Sequence, residues 1–319
     1  MKIAVIGDIH SYLLPNDMDY FNTSNYDAIL LTGDFPWHLQ NGTNRVLKLL
    51  NRSFIPVYGI FGNHDSASLI QLAGEVFQKK WVKALGSLLH PVRFDLLNRS
   101  ARRVKIAGYT RFTLHNHWGI PGVDEGQPKE SKPVLDLIIA RPFSMGGPGI
   151  TYEHLLKKKF DVSSLEESRD KILGLIKSVP SKRPYIILAH NGPAGLGEEH
   201  TDLFGCDFKQ QGGDWGDADL SEAIDKAAKK PLAVIAGHMH HRLKKSRKTR
   251  NWALYKNNIW FVNAARVPRV FKDVNRGELR HHLSLEFQDD KVEVTEMLVD
   301  KRQRVIMKAM DPEMSQPQR

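Results

Sequence analysis

The chain has 319 residues, 41% hydrophobic and 26% charged, with one cysteine and a formal charge of +10. This length and apolar content suffice for a large buried core, which excludes a disordered chain, and the lone cysteine excludes an internal disulfide framework. No charged-then-apolar leader opens the sequence and no run reaches bilayer length, so a cytoplasmic protein without membrane association is expected; the positive charge favours anionic partners and says nothing of fold.

In chain order, short runs rich in β-branched residues at 2–6, 28–31, 56–60, 185–188 and 232–235 read as strands buried on both faces. Each stops at a residue able to carry chemistry. The first leads into Asp8 and His10 (VIGDIH), the second into Asp34 (LTGDF), and the third into Asn63 and His64 (FGNHD). The fourth leads into His190 (LAH) and the fifth into His238 and His240 (AGHMHH). Such runs, separated by helical patterns, predict an α/β protein with these residues gathered at one edge of a central sheet.

A further strand is expected at 104–107. Residues 113–180 exceed an ordinary connection and are read as a cap insertion, with helices over 152–160 and 164–178 and an N-cap at Ser163 or Ser164. Strands follow at 259–262, 282–287 and 292–297, expected to complete a second sheet. Residues from about 311 lack periodicity. The ligand series begins in the first tenth of the chain and closes at His240, so residues 1–299 are read as one domain and 300–319 as a C-terminal tail.

Seven oxygen and imidazole donors exceed the three or four that one catalytic zinc takes from protein, so two cations fit better than one. Asp34 stands alone after its strand and is the natural bridge between them. Two ions about 3.5 to 4 Å apart acidify a bridging water and clamp a phosphoryl oxygen, the requirement of in-line phosphate ester hydrolysis. His64 lies one step beyond Asn63 on a turn, where its imidazole is placed either to protonate a leaving oxygen or to serve as a third ligand or an outer hydrogen-bond partner.

The five blocks, DxH, GD, GNHD, a lone His and GHxH, resemble the calcineurin-like metallophosphoesterase superfamily. The resemblance implies a four-layer α/β/β/α sandwich of two mixed β-sheets flanked by helices. It implies one metal on Asp8, His10, Asp34 and His240, another on Asp34, Asn63, His190 and His238, and His64 as general acid. Manganese heads the candidate ions, with iron and zinc as alternatives. Ser11 after His10, and Phe35, Pro36 and Trp37 after Asp34, depart from the serine/threonine phosphoprotein phosphatases. The absence of Tyr from residues 35–42 departs from the purple acid phosphatases. The partner orienting His64 is open, Asp65 being one candidate and a helix cap its other reading.

The function implied is metal-dependent hydrolysis of a phosphomonoester or phosphodiester by a metal-bridging hydroxide, acting on a phosphorylated anionic substrate. A nuclease or nucleotide phosphodiesterase using the basic run at 242–250 (RLKKSRKTR) is the alternative, with a non-catalytic metal-binding scaffold behind it. That run reads equally as an exposed hairpin. The acidic stretch 192–219 is placed at the mouth of the site and reads first as a solvated acidic loop. Arg111 and Arg141 suit a phosphate by charge but match structural pairs more often, and His115 with His117 reads as loop polarity rather than a third metal site.

Overall fold

Strand alternation decides the layering. In the computed structural model, which describes residues 1–36, 41–65, 73–75, 81–82, 103–116, 133–244, 246–288 and 291–309, the first strand β1 (Lys2–Ile6) buries Ile3 and Val5 on one side and Ala4 and Ile6 on the other. Successive strand side chains point to opposite faces, so a strand apolar at every position must be covered on both.

The first sheet contains β1, β2 (Ala28–Leu31), β3 (Val57–Ile60), β4 (Val104–Ala107), β11 (Val270–Asp273), β12 (Gly277–Gln288), β13 (Lys291–Asp300) and β14 (Val305–Ala309). Its order is β14-β13-β12-β1-β2-β3-β4, with β11 on β12. β1 to β4 run parallel and β12 antiparallel to β1. The second sheet runs β5 (Thr110–His115), β6 (Pro133–Ile139), β7 (Tyr185–Leu188), β8 (Ala233–Ala236), β10 (Ile259–Asn263) and β9 (Ala253–Lys256), with β6, β7, β8 and β10 parallel.

Ile3, Val5 and Leu30 of the first sheet share an apolar layer with Leu137, Ile139, Ile186 and Leu188 of the second, which places the two sheets face to face. Their outer faces carry helices. Met18 and Phe21 of α1 (Pro15–Thr23) and Val46, Leu47 and Leu50 of α2 (Asn41–Leu50) join Ala4, Ile6 and Ile29. Leu155 and Leu156 of α3 (Glu153–Phe160), Ile172 and Ile176 of α4 (Leu165–Lys177) and Ala223 and Ile224 of α5 (Ala218–Lys226) join Ile138, Ile187 and Val234. The result is the expected four-layer α/β/β/α sandwich of two mixed sheets.

The helix at 164–178 begins as its sequence implies. Ser164 accepts the backbone N–H of Glu167 at 3.2 Å, and the Glu167 carboxylate accepts that of Ser163 at 2.6 Å, so two otherwise orphaned donors are satisfied reciprocally.

Three expectations are corrected. Residues 113–180 do not form a cap over the site throughout: they include the last residues of β5, the whole of β6 between β5 and β7, and two helices packed on that sheet, while residues 117–132 lie outside the described residues. The run of buried apolar residues in β6 lies within a segment read as a cap because of its length. The hairpin expected at 282–287 and 292–297 completes the first sheet, because β12 pairs with β1. The tail read from residue 300 begins too early, since Val305–Ala309 extends the same sheet as β14 on β13, and residues 311–319 lie outside the described residues.

Candidate metal centre

Five parallel strands deliver the donors. Asp8 and His10 follow β1, Asp34 follows β2, and Asn63 and His64 follow β3 in the first sheet, whereas His190 follows β7 and His238 and His240 follow β8 in the second. The centre therefore lies where the carboxyl ends of both sheets meet, rather than along one central sheet as the runs alone suggested.

Ligating atoms of Asp8, His10 and His240 lie within 4.8 Å of one another, and those of Asp34, His190 and His238 do the same. Asp34 stands between the groups, with one carboxylate oxygen 3.8 Å from His10 Nε2 and the other 3.6 Å from His190 Nε2. Asn63 Oδ1 lies 2.9 Å from His190 Nε2 and 3.1 Å from His238 Nδ1.

Backbone carbonyls set the tautomers. His10 Nδ1 donates to Pro36 O at 3.1 Å, His190 Nδ1 to Thr32 O at 2.6 Å, and His238 Nε2 to Met145 O at 3.1 Å. Each ring then turns its remaining, unprotonated nitrogen inward. The inward lone pairs of His190 and His238 converge on the Asn63 oxygen, itself an acceptor. Acceptors facing acceptors repel unless a cation lies among them, so the donor set fits divalent metal ions.

The loops are shaped for this purpose. His10, Asp34 and His238 have φ of 42°, 52° and 65°, the left-handed region that non-glycine residues seldom enter and that concentrates at functional sites. Asp65 neither orients His64 nor faces the cavity: its carboxylate accepts the backbone N–H groups of Gly62 (2.6 Å), Asp34 (2.9 Å) and Phe35 (2.6 Å), tying the Asp34 and Asn63 turns together. Tyr152 donates its hydroxyl to Asn63 O at 2.7 Å, and Thr32 donates to Asp8 Oδ1 at 3.0 Å.

Burial acts to raise the Asp8 carboxyl, but His240 beside it at 3.5 Å and the charges of His190 and His10 hold it well below its ordinary value. Asp34 is likewise held down against burial by His190, His64 and His10. Burial pushes the His238 imidazole down to about 3, with His190 adding to the effect. Anionic carboxylates at Asp8 and Asp34 and a lowered His238 imidazole are the protonation states that cations select.

His64 is half-buried, with its ring centroid 5.6 Å from that of His10. With Asp34, Asn63, His238 and His240 it lines a cavity of about 820 Å³, walled also by Trp215 and Met145.

Other sequence readings resolve individually. Arg141 is buried and held by Asp217 at 3.0 Å and Asp219 at 2.9 Å, a structural role. Arg111 donates to Ser178 O. The acidic stretch reaches the cavity only through residues 207–209 and Trp215; Asp214 and Asp202 close local turns, and Asp217 and Asp219 clamp Arg141. The basic run forms a hairpin around the Arg242–Thr249 bridge, with Arg242 and Lys244 on the cavity wall and Arg250 buried. His115 ends β5, His117 lies outside the described residues, and the described residues hold no third cluster of metal donors. Thr32, inside the LTGD block, was open to recognition from its place beside Asp34. Met145, Tyr152 and Trp215 carry no local signal, since remote chain segments bring them to the centre.

Two facing mixed sheets with a double oxygen and nitrogen donor cluster at their carboxyl ends define a metallophosphoesterase fold. The family model described as calcineurin-like phosphoesterase matches residues 1–242, and the chain belongs to that family. No curated protein matches the sequence. Among solved structures, TT1561 of Thermus thermophilus is 12% identical, covering 97% of this chain and 98% of its own, with a TM-score of 0.47. Vps29 from Entamoeba histolytica complexed with Zn²⁺ is 12% identical over 98% and 99% of the two chains, with a TM-score of 0.35.

Proposed function

We propose that the chain is a metal-dependent phosphoric ester hydrolase acting on small phosphomonoesters or phosphodiesters. The observation that carries this reading is the position of Asp34, whose two carboxylate oxygens face the two donor groups separately.

Asp8, His10, Asp34 and His240 would hold one divalent cation, and Asp34, Asn63, His190 and His238 the other. When bound, such a pair supplies Lewis acidity toward a phosphoryl oxygen and activates water at neutral pH. His64, on the cavity wall, protonates the departing ester oxygen. The Pro36, Thr32 and Met145 carbonyls keep three imidazoles in the tautomer that leaves an inward lone pair. Arg242 and Lys244 attract an anionic substrate to the cavity mouth. Manganese, zinc and iron all suit this donor set, manganese being the first to try.

The test is hydrolysis of p-nitrophenyl phosphate and bis-p-nitrophenyl phosphate by chelated protein re-supplied with manganese, zinc, iron or magnesium in turn. Metal-restored turnover of either ester supports the reading, and the preferred ester assigns phosphatase or phosphodiesterase. No turnover with any metal moves the assignment to a metal-binding scaffold.

A further inference from the structure

Part of the cavity wall has a composition that the hydrolysis itself does not require. Lys209 Nζ lies 3.9 Å from the ring centroid of Trp215, and Lys244 Nζ lies 5.1 Å from that of Phe208. The two rings meet edge to face at 5.2 Å. A cation over an aromatic face is held by the ring quadrupole, so these rings position two ammonium groups at the cavity rim. Arg242 is the third cation of the wall.

This wall is built in register with the metal centre by two linkages. The Trp215 indole N–H donates at 2.8 Å to Met145 O, the same carbonyl that accepts His238 Nε2. Arg250 donates to His240 O at 3.1 Å and pairs with Asp207 at 3.4 Å, and Asp207 in turn accepts the backbone N–H of Lys244 at 2.7 Å. The Asp207 charge is thereby engaged by Arg250. Among the described residues no carboxylate lies within ion-pair distance of Lys209, Arg242 or Lys244.

We propose that Lys209, Arg242 and Lys244 form a second-anion subsite, and that the substrate is a phosphoester of mononucleotide size with another anionic group beyond an apolar body. The scissile phosphate lies against His64 and the candidate ligands, the apolar body against Phe208, Met145 and Met239, and the second anion on the three cations. The inference rests on the proposed hydrolase function and names its substrate class. A cavity of about 820 Å³ falls in the range of small-molecule sites, about 300 to 1,000 Å³. A base-stacking platform for single-stranded nucleic acid needs open aromatic faces; here Lys209 covers Trp215 and Gly147 packs against the same ring.

The test is calorimetric titration of chelator-treated protein with adenosine, adenosine 5′-monophosphate and adenosine 3′,5′-bisphosphate, alongside the K209Q, R242Q and K244Q variants, with melting temperature as the folding control. The bisphosphate should bind wild type about tenfold more tightly than the monophosphate, and the gap should shrink severalfold in each variant and weaken with salt. Equal affinity for the two nucleotides, or a preference that survives all three substitutions, overturns the proposal. Binding does not depend on turnover, so a bisphosphate preference in a protein that hydrolyses no p-nitrophenyl ester supports the subsite while removing the hydrolase reading. Turnover with equal nucleotide affinities does the reverse.

Discussion

His10 and His240, 230 positions apart in the chain, bring their Nε2 atoms to 3.1 Å. With His10 Nδ1 donating to Pro36 O, its Nε2 lone pair faces His240 Nε2, which also stands 3.5 Å from the Asp8 carboxylate, a spacing at which one cation can be shared by all three. Saturating manganese or zinc should therefore raise the melting temperature of chelated protein. Binding at one hundred times Kd contributes about 2.7 kcal/mol. Elemental analysis should find two ions per chain in wild type and fewer in H240Q. A melting temperature insensitive to every metal would exclude a metal centre.

Replacing His64 with Ala should lower turnover by about 10² to 10⁴ on alkyl phosphates, whose leaving oxygen needs a proton, and by less on p-nitrophenyl esters. Asp34→Asn should abolish both and reduce occupancy of both donor groups. Retained activity in purified D34N would sink the assignment.

Tyr152→Phe removes the hydroxyl that holds the Asn63 carbonyl at 2.7 Å. A buried carbonyl left without its donor costs about 1 to 3 kcal/mol. Denaturant unfolding should show that loss, and bound metal should be released at lower chelator concentration than in wild type. A variant matching wild type in both measurements would assign Tyr152 to packing alone.

Arg141→Gln leaves Asp217 and Asp219 buried without their cation. Removing one partner of such a buried group costs about 3 to 5 kcal/mol. The expected result is poor folding or a large drop in urea midpoint. Normal stability with impaired substrate binding would instead return Arg141 to the substrate role its charge suggested.

Far from the candidate metal centre, His281 on β12 lies 3.4 Å from Glu296 on β13, and Arg266 pairs with the same carboxylate at 2.6 Å. Burial pushes the His281 imidazole from 6.5 down to about 4, with His241, Arg266 and Arg269 nearby, so unfolding takes up a proton between those values. Its contribution is whole above pH 6.5 and is lost as pH falls toward 4, with a slope of up to about 1.4 kcal/mol per pH unit. The Glu296 carboxyl is held at about 2, chiefly by His281 at 3.4 Å with Arg266 adding, against burial. Its contribution is present above 4.5 and is lost as pH falls further. Urea midpoints should decline from pH 7 to 4.5, and less steeply in H281Q; equal slopes would overturn the assignment.

The five motif blocks were legible because each combines a strand's uninterrupted apolar run with ligand residues just past its end. β1, β2 and β7 have the boundaries that those runs imply. β6 was hidden inside a long segment judged by its length, and β14 inside a stretch of Arg and Lys. The basic run likewise divides in three dimensions, since Arg242 and Lys244 reach the cavity while Arg250 is buried among backbone carbonyls.

What the sequence determined by itself was the chemistry: which side chains are competent to hold cations, and the strand ends on which they stand. Spacing along one chain carries that information, because a strand must stop before its next residue can face a ligand. Tertiary structure alone decided that the candidate ligands come from two sheets, that Asp34 stands between two groups, that Asp65 ties turns instead of orienting His64, and that Met145 joins His238 to Trp215. These depend on pairing and packing between segments far apart in the chain, where a single carbonyl or aromatic face acquires its role only from what the fold places beside it.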